Sequence, residues 1–153
     1  MLLFITGKYG GYRAMLPLIK GCKGKTDVAV AFTGQHCLSP RLGQETLLES
    51  LRLLPKHTAS YCLPVREVLT SELDTLPTPS AVVVYGDRLE ALLGAAWGHE
   101  NRIPVLHLQA GDISGGVDNG YRHAIAHLAT QHYAPDDDAV DRLRQLGCAP
   151  DTI

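Results

Sequence analysis

Between Ala81 and His123 the chain twice drives a short apolar run straight into glycine and charge, and this constrains its fold more than any other feature. Ala81-Val82-Val83-Val84-Tyr85 offers no polar face to water, so as a strand it must be covered on both sides. It discharges into Gly86-Asp87-Arg88. Val105 to Leu108 ends the same way, in the loop Gln109 to Asp118, ahead of a helical stretch carrying Arg122 and His123. Ligands of open parallel sheets sit at the carboxyl ends of strands, so two such endings predict one pocket by position alone.

The rest of the chain repeats the alternation. Strands are predicted at Leu2–Thr6, Val28–Phe32, Thr58–Leu63 and His132–Ala134, besides the two above. Helices are predicted at Tyr12–Lys20, from Ser39-Pro40 through Leu54, and at Val65–Leu73, Leu89–Glu100, Asp118–Thr130 and Asp136–Leu146. Pro17 should shorten or bend the first of these. Six strand-helix alternations give an α/β fold, a doubly wound parallel sheet of Rossmann-like type, with residues 1–153 as one domain. A net charge of −2 excludes the basic field that nucleic acid or an anionic membrane would need. Four cysteines without C-x-x-C spacing suit a reduced, cytoplasmic setting. Met1 to Ile5 lacks a basic n-region and is too short for a signal or a span, so it reads as the first strand.

Several sites compete with simpler readings. Gly7-x-x-Gly10-Gly11 departs from G-x-G-x-x-G, and the second strand ends in Phe32-Thr33 without an acid for a ribose, which favours a tight turn over a dinucleotide site. His123 and His127 share a helix face, but the glutamate of H-E-x-x-H is missing, so no metal is expected. Asp87 alone could be only a helix cap. Asp112, Asp118, Arg122 and His123 together suit proton abstraction beside a bound anion, with Arg122 neutralising phosphate. If both are helical, Asp118 and Arg122 lie one turn apart and should hold each other in place.

These residues also carry a resemblance. Thr6-Gly7 with Tyr12, Leu16-Pro17-Leu18-Ile19, Thr33-Gly34-Gln35-His36 followed by Leu38-Ser39-Pro40, Gly86-Asp87-Arg88 with Glu90, His107-Leu108-Gln109-Ala110-Gly111-Asp112, Arg122-His123-Ala124-Ile125 and Gln145-Leu146-Gly147 lie in order over nearly the whole chain. In these stretches it resembles the N-terminal domain of hydrolysing UDP-N-acetylglucosamine 2-epimerases. The resemblance implies one half of a glycosyltransferase-B-type fold. It implies removal of the C2 proton with loss of UDP, then hydration to an N-acetylmannosamine-type product. No cofactor and no metal are implied. The expected catalytic carboxylates are Asp87, Asp112 and Asp118, and the expected substrate contacts Lys8, His36, Arg88, Gln109, Ser114, Arg122 and His123. The expected partners are a UDP-sugar, a C-terminal UDP-binding half that this chain lacks, and a second copy of the chain.

Three positions depart from the family pattern. Tyr9 stands where the family has an arginine, Gly11 where it has an acid, and Gln109 where it has a glutamate. Glutamine cannot act as a base. Two other classes therefore stay open: a glycosyltransferase subunit, and a binding module that kept the fold without the chemistry. An exposed apolar surface on the Leu42–Leu54 helix is expected to drive self-association of the isolated chain.

Overall fold

A computed structural model describes residues 1–38, 42–55, 58–63 and 69–153. Six strands, β1 (Leu2–Thr6), β2 (Val28–Thr33), β3 (Ala59–Leu63), β4 (Ala81–Tyr85), β5 (Val105–Leu108) and β6 (Gln131–Tyr133), form one sheet in the order β3-β2-β1-β4-β5-β6. Every pairing is parallel. The order reverses between β1 and β4, whose register sets Leu2 beside Ala81 and Ile5 beside Val84. That reversal is the switch point at which such sheets open a crevice. The doubly wound, Rossmann-like parallel sheet expected from the alternation is thus the fold observed.

The helices are α1 (Tyr9–Gly21), α2 (Gln35–Leu38), α3 (Leu42–Leu53), α4 (Leu69–Leu73), α5 (Leu89–Glu100), α6 (Asn119–Leu128) and α7 (Asp137–Gln145), with a last 3-10 turn at Pro150–Thr152. Alternate strand residues feed two cores. Leu3, Ile5, Val82, Val84 and Val105 pack with Ala91, Ala95 and Ile125 of α5 and α6. Phe4, Val30, Phe32 and Val83 pack with Tyr12, Met15 and Ile19 of α1. Burying each large apolar side chain stabilises the fold by roughly 1.5–3 kcal/mol, and the unbroken β4 run supplies both layers at once.

Two helix expectations change. Helix α1 begins at Tyr9, one turn before the expected Tyr12, because the extended Lys8 (φ −154°) takes the cap position and the glycines after it are helical. It runs past Pro17 to Gly21; Pro17 and Arg13 lie on the exposed face, where the carbonyl that proline leaves without a partner is open to water. The expected start at Ser39-Pro40, and Val65 to Arg66 with the residues up to 68, lie outside the described residues. The last helix behaves as read: Asp136 accepts from the Ala139 amide at 2.8 Å, and Gly147 closes it at φ +87°.

Candidate active site

The ends of β1, β4 and β5 enclose a cleft of about 330 Å³. Lys8, Asp87, Arg88, Gln109, Asp112, Ser114 and Arg122 all line it.

The β4 end carries the acid. Arg88, not Asp87, takes the cap position of α5. Asp87 is therefore not spent on a helix end, and its Oδ2 accepts from Arg122 Nη2 at 2.7 Å. Beneath it, Nε2–H of the fully buried His107 donates to the Gly86 carbonyl at 2.8 Å, while the Gly86 amide donates to the Leu108 carbonyl at 3.0 Å. Both sides of the glycine before Asp87 are thus tied to β5. Burial pushes the His107 pKa down to about 4, so its ring is neutral at pH 7.

Residue Gln109, at the β5 end, adopts the left-handed region at φ +58°. Its Nε2 donates to Asp112 Oδ2 at 2.9 Å, and the Ile113 amide donates to Asp112 Oδ1 at 2.7 Å. Arg122 Nη1 lies 3.6 Å from Asp112 Oδ2. One guanidinium, 3% exposed, therefore faces two carboxylates. Its Nε and Nη1 are buried without a hydrogen-bond partner. Ser114 is held at the mouth by Asn119, whose Oδ1 accepts from its amide at 2.9 Å and its hydroxyl at 3.1 Å.

The β1 wall differs in kind. Lys8, Gly10 and Gly11 line it at the amino end of α1, where no side chain caps the first turn. Those first-turn amides and the lysine can meet an anion. Below, the completely buried Glu90 fills the space against Gly7 and Gly34; a Cβ at Gly34 would stand 2.3 Å from Glu90 Oε1. Glu90 Oε2 lies 3.4 Å from Arg88 Nε, which turns that arginine toward the protein. Glu90 was visible in the sequence as the one acid in a run of leucine and alanine.

Three expected site residues stand elsewhere. His36 is 1% exposed, its Nε2 3.4 Å from Thr6 Oγ1 and its ring edge-on to Phe32, so it supports the β1 loop from below instead of meeting a ligand. Burial lowers its pKa. Residue His123 lies outside this cleft because successive helix residues point about 100° apart; with Ile113, Asn119 and Arg142 it lines a second depression behind the loop. Asp118 precedes α6 with no side-chain cap bond, and among the described residues it makes no ion pair with Arg122. The guanidinium is instead drawn to Asp87 and Asp112, which ends the expected mutual hold. Sequence reasoning missed Arg142, whose Nε donates to the Gly111 carbonyl; nothing in its spacing signals a partner 31 residues away. Among the described residues no three His, Cys, Asp or Glu side chains converge as a metal site, and no helix is long and apolar enough to cross a membrane.

Known proteins carry the same architecture. The UDP-GlcNAc 2-epimerase of Neisseria meningitidis, solved bound to UDP-GlcNAc, superposes with a TM-score of 0.81 at 22% identity, over 99% of this chain and 44% of that one. The UDP-GlcNAc 2-epimerase of Methanocaldococcus jannaschii gives 0.81 at 22%, over the same shares. In sequence, the UDP-N-acetylglucosamine 2-epimerase of Neisseria meningitidis serogroup B is 32% identical over 95% of this chain and 42% of its own length. The UDP-N,N'-diacetylbacillosamine 2-epimerase (hydrolyzing) of Legionella pneumophila is 28% identical over 99% of this chain and 44% of its own. The chain thus spans less than half the length of these curated relatives. A family model described as UDP-N-acetylglucosamine 2-epimerase matches residues 22–153, and the chain belongs to that family.

Proposed function

We propose that the chain is the acid-base half of a hydrolysing sugar-nucleotide 2-epimerase acting on a UDP-N-acetylhexosamine. The observation that carries this reading is Arg122 held between Asp87 and Asp112 at the switch point of the sheet. In this reading a carboxylate of the cleft takes the proton from C2 of the sugar. The C2–H electron pair becomes the C1–C2 double bond, and the C1–O bond breaks with its electrons leaving on the diphosphate. Water then adds across the double bond, its hydroxyl going to C1 and a proton returning to C2 from the opposite face. Lys8 and the first-turn amides of α1 offset the charge of the departing diphosphate. Arg122 holds both carboxylates in place from between them. Asp112 stands in for the family glutamate that Gln109 cannot replace, while Gln109 orients it as a donor. Asp118, which does not line the cleft, joins the chemistry only if closure of a second half turns the 112–118 loop inward.

That second half is a proposed partner: a UDP-binding domain or subunit that covers the cleft and excludes water. A cytoplasmic setting and a homo-oligomer belong to the same reading. A catalytically silent binding module is favoured by one observation, the non-ionisable Gln109 in the loop. The test is a UDP-release assay on this chain mixed with the C-terminal half of a relative. Turnover in the mixture and none in either part is the expected result, with D87N lowering it by about 10²-fold or more. Binding of UDP-N-acetylglucosamine by the mixture without any UDP release would sink the epimerase and leave the binding module.

A further inference from the structure

Arg142 sits on α7, outside the cleft, yet its Nε donates to the Gly111 carbonyl at 2.5 Å, in the middle of the Gln109–Asp112 loop. The loop lies directly on α7: a Cβ at Gly111 would stand 2.3 Å from the Ala139 carbonyl oxygen. From the other side the Ala110 amide donates to the Tyr133 carbonyl at 3.1 Å. Such holding is needed, because Gln109 occupies φ +58°, a left-handed region that disfavours L-residues other than glycine. A strained backbone of this kind persists only where its surroundings over-determine it. Here Ala110 is tied to β6, Gly111 to Arg142, and Gln109 to Asp112 at 2.9 Å. Of these, Arg142 is the side chain supplied from outside the loop. The other end of its guanidinium has a long contact, Nη2 to Asp136 Oδ1 at 4.0 Å, between partly exposed groups. Its Nε–H bond, more than its charge, is what the loop uses.

We propose that Arg142 is a positioning residue: by holding the Gly111 carbonyl it keeps Gln109 left-handed and aims the Asp112 carboxylate into the cleft toward Arg122. The proposal rests on the reading of Asp112 as an acid-base group. Two substitutions separate donor from charge. Arg142→Gln puts an amide nitrogen where Nε stands, keeping the donor and losing the charge. Arg142→Met keeps the length and loses the donor.

In the mixture with a UDP-binding half, R142M is expected to lower kcat about tenfold or more with KM within about threefold, since a displaced group costs turnover before binding, while R142Q stays within about threefold of wild type. On the isolated chain, Asp112 is followed by carbon-detected carboxyl titration and the Ile113 amide, which donates to Asp112 Oδ1 at 2.7 Å, by hydrogen exchange. R142M should move both and R142Q neither, at matched thermal stability. Equal losses in R142Q and R142M, or an Asp112 titration indifferent to R142M, would overturn the proposal. The isolated-chain measurements need no turnover, so a wholly inactive mixture counts against the epimerase reading, and the Asp112 signal still decides the role of Arg142.

Discussion

The β1 wall of the cleft and the β4–β5 wall opposite it face the same space with different materials. On the β1 side stand Lys8, Gly10 and Gly11 at an uncapped helix start, and among the described residues Lys8 makes no ion pair. On the β4–β5 side Asp87, Asp112 and Arg122 form a cluster in which Arg122 is 3% and Asp87 8% exposed. The Lys8 side chain can be changed without disturbing the core, because among the described residues no ion pair ties it to the rest of the protein. The second wall cannot, because Arg122 and Asp87 are buried against each other and Asp112 leans on the same guanidinium. A wall of loose donors suits a ligand that arrives and leaves; a wall of interlocked charges suits groups that must keep one geometry through a reaction.

The comparison can be broken most sharply at Arg122. Arg122→Met leaves two carboxylates facing each other without their cation, and breaking a buried pair in this way costs about 3–5 kcal/mol. Urea unfolding at pH 7 should show that loss, and adding Asp87→Asn should restore part of it. A loss under 1 kcal/mol would mean that the cluster is wetter than its burial implies.

Next in size is the neutral ring beneath Asp87. The unfolded chain takes up a proton on His107 near pH 6.5 and the folded chain only near 4. Unfolding therefore binds the proton in that window, and stability falls as pH drops through it while staying flat above about 7. The loss by pH 4 is on the order of 3 kcal/mol. His107→Phe should remove this dependence, which guanidinium melts at pH 7 and pH 4.5 would reveal; an unchanged pH profile refutes the assignment.

A smaller effect is expected at Gln109. Gln109→Glu replaces the donor to Asp112 by a second carboxylate at the same place, costing about 1–3 kcal/mol at pH 8 and less as acid protonates one of the pair. Thermal melts across pH 4 to 8 check the sign. The smallest change belongs to the β1 wall: Lys8→Met should leave stability within about 0.5 kcal/mol of wild type. It should nonetheless weaken pyrophosphate binding measured by calorimetry. If Lys8→Met destabilises as much as Arg122→Met, the two walls do not differ.

How much of this was legible follows from where each signal lives. β4 begins and ends where its apolar run does, because a doubly covered strand leaves no choice of face, and β5 follows the apolar stretch from Val105 to Leu108. Asp87, Gln109 and Asp112 meet because strand ends in a parallel sheet share one edge, a rule that needs only the strand order. Helix α1 starts early because Gly10 and Gly11 read as loop residues, and the extended Lys8 before them left no mark in the pattern. Asp118 and Arg122 have the right spacing for a pair, but spacing says nothing of the stronger partners that β4 and β5 bring to the arginine. His36 was expected as a ligand contact because the resemblance runs through Thr33-Gly34-Gln35-His36; its burial under Thr6 is a tertiary fact.

The central pairing of the sheet has a consequence for how the protein is made. β1 can join β4 only after about 80 residues have closed into a loop, since Leu2 lies beside Ala81, and Arg122 follows later still. Contacts so distant in sequence form slowly, and during synthesis β1 leaves the ribosome long before its inner neighbour exists. Until then β1 can pair only with β2, and its other edge stays open to solvent and to other chains. The cleft is consequently among the last features to assemble, and slowing elongation between residues 33 and 81 lengthens the interval in which the nascent chain can aggregate.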